Sequence, residues 1–428
     1  MFDNAKQGVL IGLVFALGGS CLAADWPRWR GPAGTGHVPA GVAVPDTLPE
    51  TPEVLWRVAV GTGFGSPAVG GGKVFYLDHQ RGKEVVHALR ADTGKELWRL
   101  PLDEVFKDGQ SVPGPRTTPV VDGDRLYVQS CRGEFRCLNV ADGTCVWRVG
   151  FVKDFQATFI GEKGSAVGAS RHGYTGSPVI EGERIFVGVG GRKGASVVCF
   201  EKRTGRVVWK SQSDVPGYSG PVIATVAGVK QVISFTSDGV IGLDFADGKL
   251  LWRVGVKTGF GRHVTTPIVA DDVVIVSSHQ AGLIGIAVSK DGTGLRAERA
   301  WVAKALAINF SDPVAVGGFL YGFGRGNSLI CVDVRTGKRA WVEKGFFSDL
   351  SRRGYASFLV MKDRILVLAE RGQLLLLGAD PKQCRVISRA KACGPNWCNP
   401  AYADGKLFLR DDKDLRCVRL IPSPATSR

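Results

Sequence analysis

Ala91-Asp-Thr-Gly-Lys-Glu-Leu-Trp98 is a tight turn followed by a strand that ends on tryptophan, and the chain repeats it with small variations. Ala141-Asp-Gly143, Arg203-Thr-Gly205, Ala246-Asp-Gly248 and Arg335-Thr-Gly337 carry the same turn. Each places glycine where a hairpin loop needs positive φ. The tryptophans that follow are Trp98, Trp147, Trp209, Trp252 and Trp341, with Trp301 in a more divergent unit. Such a side chain is too large and flat for one small sheet to bury alone, so it is expected to pack between neighbouring sheets.

The turn belongs to a longer unit. The unit opens with a small or polar residue before proline and runs through a short apolar strand. It turns at Gly or Asp and continues in an apolar strand such as Lys73-Val-Phe-Tyr-Leu77. A third strand, the glycine turn and the tryptophan strand complete it. Starts fall at Pro67, Pro119, Pro178, Pro221, Pro267, Pro313, Phe358 and Pro400, a period of about 48 residues and within the range of propellers and solenoids. Alternation with period two in segments of a few residues makes every segment a strand, and four strands per repeat is a propeller blade.

The last unit holds only three strands before the chain ends. Its fourth is found near the N-terminus, where Val54-Leu-Trp-Arg-Val58 matches Leu250-Leu-Trp-Arg-Val254 and Thr62-Gly-Phe-Gly65 matches Thr258-Gly-Phe-Gly261. The N-terminal strand is therefore expected to complete the eighth blade and to remove the exposed edges that an open array would leave. The fold predicted is all-β: an eight-bladed β-propeller of four-stranded antiparallel blades over residues 53–421, closed by the N-terminal strand. Residues 25–52 form an N-terminal extension and 422–428 a polar tail.

Residues 1–24 read as a signal peptide, with Lys6, an apolar run from Val9 to Leu17 and small residues up to Ala24. That run is too short to span a bilayer, and no later stretch reaches the required length of roughly 20 residues. Cleavage after Ala23 or Ala24 is expected. Cys21 offers a lipid-anchoring alternative, although the residues before it lack the leucine such a site carries three places upstream. The protein is thus read as exported, periplasmic or extracellular. Lys and Arg number 55 against 40 acidic residues, a net charge of +15. In that compartment a basic protein meets anionic polysaccharide, phospholipid headgroups or acidic proteins before nucleic acid.

Ten cysteines are present, but they are not spaced as a disulfide framework. Cys137, Cys199 and Cys331 each stand six residues before a turn glycine, where other units place Ala88 and Gly242, and Cys417 holds the corresponding place in the last unit. A position that accepts Ala, Gly or Cys is a tight core position. Cys393 and Cys398 are the pair close enough in sequence to bond locally; Cys131, Cys145 and Cys384 are left unassigned.

The Ala91–Trp98 motif and Ser177-Pro-Val-Ile-Glu-Gly-Glu-Arg-Ile-Phe-Val187 resemble the pyrroloquinoline-quinone-like (PQQ-like) β-propeller repeat proteins over residues 53 to 420. Asp25-Trp-Pro-Arg-Trp-Arg-Gly-Pro32 and Gly217-Tyr-Ser-Gly-Pro-Val-Ile-Ala-Thr225 look like those of exported planctomycete-type propellers. Relatives by fold in this group include BamB, the lipoprotein of the outer-membrane assembly machinery, and the quinone-dependent alcohol dehydrogenases. The dehydrogenases carry an adjacent cysteine pair beside the quinone and an acidic and amide cluster holding calcium. No two cysteines here are adjacent, so the chain departs from that pattern at the quinone itself.

The chemistry-bearing residues are sparse. The six histidines (His37, His79, His87, His172, His263, His279) form no zinc-ligand pattern, and no nucleophile-elbow motif occurs. Gly188 to Gly194 lacks phosphate-loop spacing and reads as a hairpin. Asp411, Asp412 and Asp414 lack the glycine and Glu spacing of a calcium loop and read as a solvated turn. No catalytic, metal-binding or cofactor-binding residue is assigned.

One pattern rises above this background. Three places before the strand starts stand Phe64, Arg116, Thr175, Tyr218, Val264, Phe310, Tyr355 and Trp397, with Tyr174, His263 and Asn309 one step earlier. These loops cross one face of a propeller into the innermost strands, so their side chains are expected to ring the mouth of the central channel. Taking the richer chemistry at each place gives Phe64, Arg116, Tyr174, Tyr218, His263, Asn309, Tyr355 and Trp397 as a candidate ligand mouth, able to grip a sugar, a quinone or an extended peptide. The same aromatics could equally serve as packing between blades. Insertions at 101–117 and 150–175, with Lys107, Lys153, Lys163, Arg171 and His172, emerge beside this mouth.

Two readings follow. The first is a non-catalytic, monomeric scaffold of the cell envelope that binds a protein or an anionic polysaccharide. The second is a PQQ-dependent oxidoreductase, alcohol dehydrogenase-like, using PQQ and calcium at the channel mouth.

Overall fold

The computed structural model describes residues 25–191, 193–346 and 354–421. The signal peptide expected at 1–24, with Cys21, and the polar tail at 422–428 lie outside the described residues. Within them, eight four-stranded antiparallel sheets follow one another along the chain as blades. Blades 1 to 7 span residues 68–104, 120–150, 179–211, 222–255, 268–303, 314–343 and 356–391. Blade 8 combines three C-terminal strands, Ala401–Ala403, Lys406–Arg410 and Asp414–Arg419, with the strand Glu53–Ala59, which pairs antiparallel with Asp414–Arg419. Among the described residues no helix is long and apolar enough to cross a membrane.

Register within each blade follows from the turn glycines. Gly94, Gly143, Gly205, Gly248 and Gly337 have φ between 67° and 76°, conformations that cost an L-residue but not glycine. The hairpin fixed by each turn places a small residue of the third strand opposite the tryptophan of the fourth. The pairs are Ala88 with Trp98, Cys137 with Trp147, Cys199 with Trp209, Gly242 with Trp252, Gly285 with Trp301, Cys331 with Trp341 and Cys417 with Trp56. That explains the Ala/Gly/Cys restriction: a larger side chain would collide with the indole. These four cysteines are fully buried.

Each indole then reaches into the next blade. Trp56, Trp98, Trp147, Trp209 and Trp301 lie against Gly94, Gly143, Gly205, Gly248 and Gly337 respectively, where a Cβ would stand 2.4–2.7 Å from the ring. Their Nε1–H groups donate to the carbonyls of Ala91, Val140, Lys202, Phe245 and Val334, at 2.9–3.3 Å. Trp341 donates similarly to Asp380 in blade 7. The repeated tryptophan is therefore an inter-blade tether with one apolar and one polar contact.

Two junctions depart from the rule. Blade 5 has outer strands of ten residues each, which carry its turn away from Trp252. Trp252 donates instead to Gln231 Oε1 of its own blade, at 2.6 Å. In blade 7 the tryptophan place is taken by Ser388, and its partner across the hairpin is Leu376 rather than a small residue. Volume lost on one strand is restored on the other. The space beyond is filled by Leu48, whose backbone N–H donates to Ser388 Oγ at 2.8 Å and whose side chain joins the same buried cluster as Leu376 and Leu420.

Leu48 belongs to the extension 25–52, which runs across the end of the ring where the innermost strands finish. Trp26 exchanges backbone hydrogen bonds with Val69 in blade 1, and Val121 of blade 2 donates to the Pro27 carbonyl. Arg28 reaches the Ile180 carbonyl of blade 3, and Arg30 the Pro313 carbonyl beside blade 6. Gly36 and Val38 pair with Val360 of blade 7, and Tyr402 of blade 8 donates to the Ala43 carbonyl. Trp26 and Arg30 are buried. The extension is thus a strap built into the ring.

Cys393 and Cys398, expected as a local pair, are separate buried thiols. Burial pushes the Cys393 thiol up to about 12 and the Cys398 thiol up to about 11.

Candidate functional site

The residue before each blade-start proline explains why the unit begins as it does. Ser66 Oγ accepts from the Asn399 N–H of blade 8, Ser177 Oγ from the Thr118 N–H of blade 2, and Asp312 Oδ1 from the Thr266 N–H of blade 5. Small polar side chains here stitch the innermost edges of adjacent blades together. The loops leading into them bond in the same direction: Phe64 N–H donates to the Pro115 carbonyl and Tyr218 N–H to the His263 carbonyl, both at 2.7 Å. Gly65, Gly176 and Gly220 permit the approach, since a Cβ at any of them would stand 2.1–2.6 Å from backbone oxygen of an adjacent loop.

This stitched ring encloses a cavity of about 850 Å³. Phe64, Arg116, Thr175, Tyr218, Val264, Phe310, Tyr355 and Trp397, the complete set three residues before the strand starts, line it. Three residues of the candidate mouth do not. Tyr174 is buried against Phe151, ring centroids 5.0 Å apart. His263 is fully buried, stacked on Phe235 at 4.2 Å, with Nδ1 on the Thr236 carbonyl and Nε2 on Thr258 Oγ1. Asn309 is absent from the lining, and its Oδ1 is buried without a protein partner. The reason is the alternation of an extended chain: neighbours along it face opposite ways. Thr175, Val264 and Phe310 face the cavity because Tyr174, His263 and Asn309 face the core. Burial lowers the His263 imidazole to about 4, so it is neutral at physiological pH.

The walls differ in chemistry. On the side of blades 6, 7, 8 and 1, Trp397 sits at the centre of an aromatic cluster. It is stacked on Tyr355 with centroids 5.6 Å apart and 13° between planes, and it meets Phe310 at 5.2 Å and Phe64 at 6.3 Å. Glu370, Asp411 and Asp412 border this cluster. The oxygens of Asp411 are occupied by the N–H groups of Gly394, Lys413 and Asp414 and by Arg416, as in a self-contained turn.

On the side of blades 2 to 5 the two insertions meet. Arg116 donates to Asp108 Oδ2 and Ser111 Oγ, each at 2.7 Å, and to the His172 carbonyl at 2.8 Å. His172 Nδ1 lies 3.3 Å from the same Asp108 oxygen, and the Gly109 N–H donates to Glu162. Burial works against charge on Asp108, but hydrogen bonds from His172 and Arg116 and the Arg116 charge outweigh it and hold the carboxyl far below its ordinary range. This network ties the insertion 101–117 to the insertion 150–175. Of the insertion cations named from sequence, Arg171 stacks over Phe260 at 4.2 Å.

Trp29 also lines the cavity, from the strap, and donates from Nε1 to Thr266 Oγ1 and Asp312 Oδ2 at 3.2 Å. Its repeat-less position in the extension gave no sequence signal beyond the Trp-Pro-Arg-Trp-Arg motif. Among the described residues no group of three or more His, Cys, Asp or Glu side chains is placed to hold a metal ion.

Residues 44–108 and 82–343 match the family model described as outer membrane protein assembly factor BamB. A protein of that description from Escherichia coli (strain K12) is 23% identical over 381 residues, covering 84% of this chain and 86% of its own length. Another, from Shewanella oneidensis, is 23% identical over 396 residues, covering 87% and 89%. Among solved structures, a quinohemoprotein alcohol dehydrogenase from Comamonas testosteroni superposes with a TM-score of 0.63 at 13% identity, over 95% of this chain and 82% of that chain. At that identity the likeness is one of fold.

Proposed function

Since the chain belongs to the family described as outer membrane protein assembly factor BamB, we propose that it is a non-catalytic, exported scaffold of the cell envelope that works as a monomer and receives a protein partner on its insert-bearing face. Family membership carries this reading, and the chemistry of that face supports it. Phe260 is half exposed with φ 61°, a backbone conformation that costs a non-glycine residue energy and concentrates at functional sites. The Phe260 carbonyl accepts from Gly168 N–H, which couples its loop to the second insertion. Val112 and Ile160, on the two insertions, are also largely exposed. An exposed aromatic ring beneath an arginine, as Phe260 lies beneath Arg171, has the composition enriched at protein interfaces.

The test is affinity capture of the mature protein from envelope extract, wild type against Phe260→Asp with Ile160→Asp. A partner protein recovered reproducibly with wild type and lost with the variant is expected. Equal recovery with both, or recovery with neither, would reject this face as the docking site.

A further inference from the structure

The cavity wall opposite Trp397 presents hydrogen-bonding groups that the protein itself leaves unused. Tyr218 Oη and Ser219 Oγ are buried without a protein partner, as is Arg116 Nε. Arg262 lines the same wall, and among the described residues no hydrogen bond or ion pair engages its guanidinium. The charges of Arg262, Arg116 and Arg171 all bear on the Tyr218 hydroxyl. Buried polar groups are normally satisfied, and leaving one open is costly, so a wall carrying several is complementary to something that is not protein.

The rest of the cavity says what that is. Its volume of about 850 Å³ lies in the range, roughly 300–1,000 Å³, of sites that enclose a ligand of several rings. The unpaired arginine, with a tyrosine and a serine hydroxyl beside it, suits a carboxylate, which guanidinium grips in a planar fork. The Trp397, Tyr355, Phe310 and Phe64 cluster offers apolar faces several ångströms across. The Asp412 N–H is bonded to the Pro395 carbonyl, but its carboxylate, on that side, has no hydrogen-bond or ionic partner among the described residues and can accept from hydroxyl groups. A compound that joins a carboxylate, apolar ring faces and many hydroxyls is an acidic sugar. A flat aromatic polycarboxylate fits less well, because its further carboxylates would meet Glu370, Asp411 and Asp412.

We propose that the central cavity binds an acidic oligosaccharide in which a single uronic acid residue adjoins neutral sugars. The uronic carboxylate is held by Arg262 with Tyr218 and Ser219, and a neighbouring neutral ring lies on Trp397, where its hydroxyls meet the acidic side chains. The net charge of +15 raises the local concentration of such an anion around the molecule. The docking face and this site meet at Val112, which lines the cavity, whereas Phe260 and Ile160 lie outside it, so the two sites can be tested apart through those residues.

The probe is xylotriose carrying one glucuronic acid, titrated into the mature protein and followed by tryptophan fluorescence and calorimetry, with xylotriose itself as the neutral comparator. Saturable binding of the acidic sugar, about tenfold or more weakened in Arg262→Ala and less so in Arg262→Lys, is expected, with no binding of xylotriose. Arg262 has no internal partner, so its replacement should leave the melting temperature unchanged. Binding of the acidic sugar that is absent, that is indifferent to Arg262→Ala, or that xylotriose matches would overturn the proposal. So would pyrroloquinoline quinone with calcium saturating the cavity in preference to the sugar. Failure here leaves partner capture through Phe260 intact, and the converse also holds.

Discussion

Gly94 lies beneath the ring of Trp56, so close that a Cβ on the glycine would stand 2.7 Å from Trp56 Cε3. Trp56 is on the first strand of the chain and Gly94 in blade 1, so this contact ties the strand that completes blade 8 to the blade that follows it. Gly94→Ala should lower stability by about 1–3 kcal/mol through overpacking, with a further cost from the positive φ. Trp56→Ala should cost about 3–5 kcal/mol. Gly82→Ala separates the terms, because Gly82 has φ 81° but nothing within 4 Å of its would-be Cβ. Urea denaturation midpoints that fall equally for Gly94→Ala and Gly82→Ala would show that the indole contact carries no weight.

The blade 7 junction replaces a tryptophan with chain from elsewhere. Leu48→Ala should cost about 2–5 kcal/mol, the range for truncating a buried leucine, although Leu48 lies in an extension with no repeat pattern. Thermal melts would check it. A change within a few tenths of a kcal/mol would mean that the strap is an ornament.

Asp312 carries the strap at the other end. Its carboxylate accepts from Thr266 N–H, Thr266 Oγ1 and Trp29 Nε1 and lies 3.8 Å from Arg30 Nη1, whose side chain is 4% exposed. Asp312→Ala leaves a buried guanidinium without its counter-charge, a loss of about 3–5 kcal/mol in comparable buried pairs. Limited proteolysis should then cut within residues 25–52 well before the blades. Uniform resistance of that segment in the variant would count against the strap depending on Asp312.

What could be read from the residues was whatever repeats. Eight units, their turns and the closing strand are periodic, and the positions three before each strand start were enough to find the cavity lining. Choosing Tyr174, His263 and Asn309 for their chemistry went against the same periodicity, and alternation along the chain decided in favour of Thr175, Val264 and Phe310. The strap escaped because its contacts, such as Trp29 with Asp312, join positions far apart in sequence and occur once. The Ser388–Leu376 exchange was hidden similarly: each looks like a failed repeat until the pairing across the hairpin is known. The Asp108–Arg116–His172 network depends on two irregular insertions meeting, which no spacing encodes.

Glu84 provides a pH test of the ground beneath that network. It is fully buried in blade 1, and its carboxylate accepts from the Cys131 N–H at 3.1 Å. Burial pushes its carboxyl up to about 7 from an ordinary 4.5, with the Cys131 hydrogen bond only partly offsetting it. The folded protein therefore holds this proton more tightly than the unfolded chain does. Its stabilising contribution is fully present below pH 4.5 and is lost as the pH rises towards 7, by about 3 kcal/mol over that window. Glu84→Gln keeps an acceptor for Cys131 and removes the titration. Urea midpoints measured at pH 4.5 and 7.5 should fall with pH in the wild type more than in Glu84→Gln, the difference between the two proteins appearing at the higher pH. Identical pH slopes would place the Glu84 carboxyl at its ordinary value and uncouple it from the stability of the Cys131 hairpin.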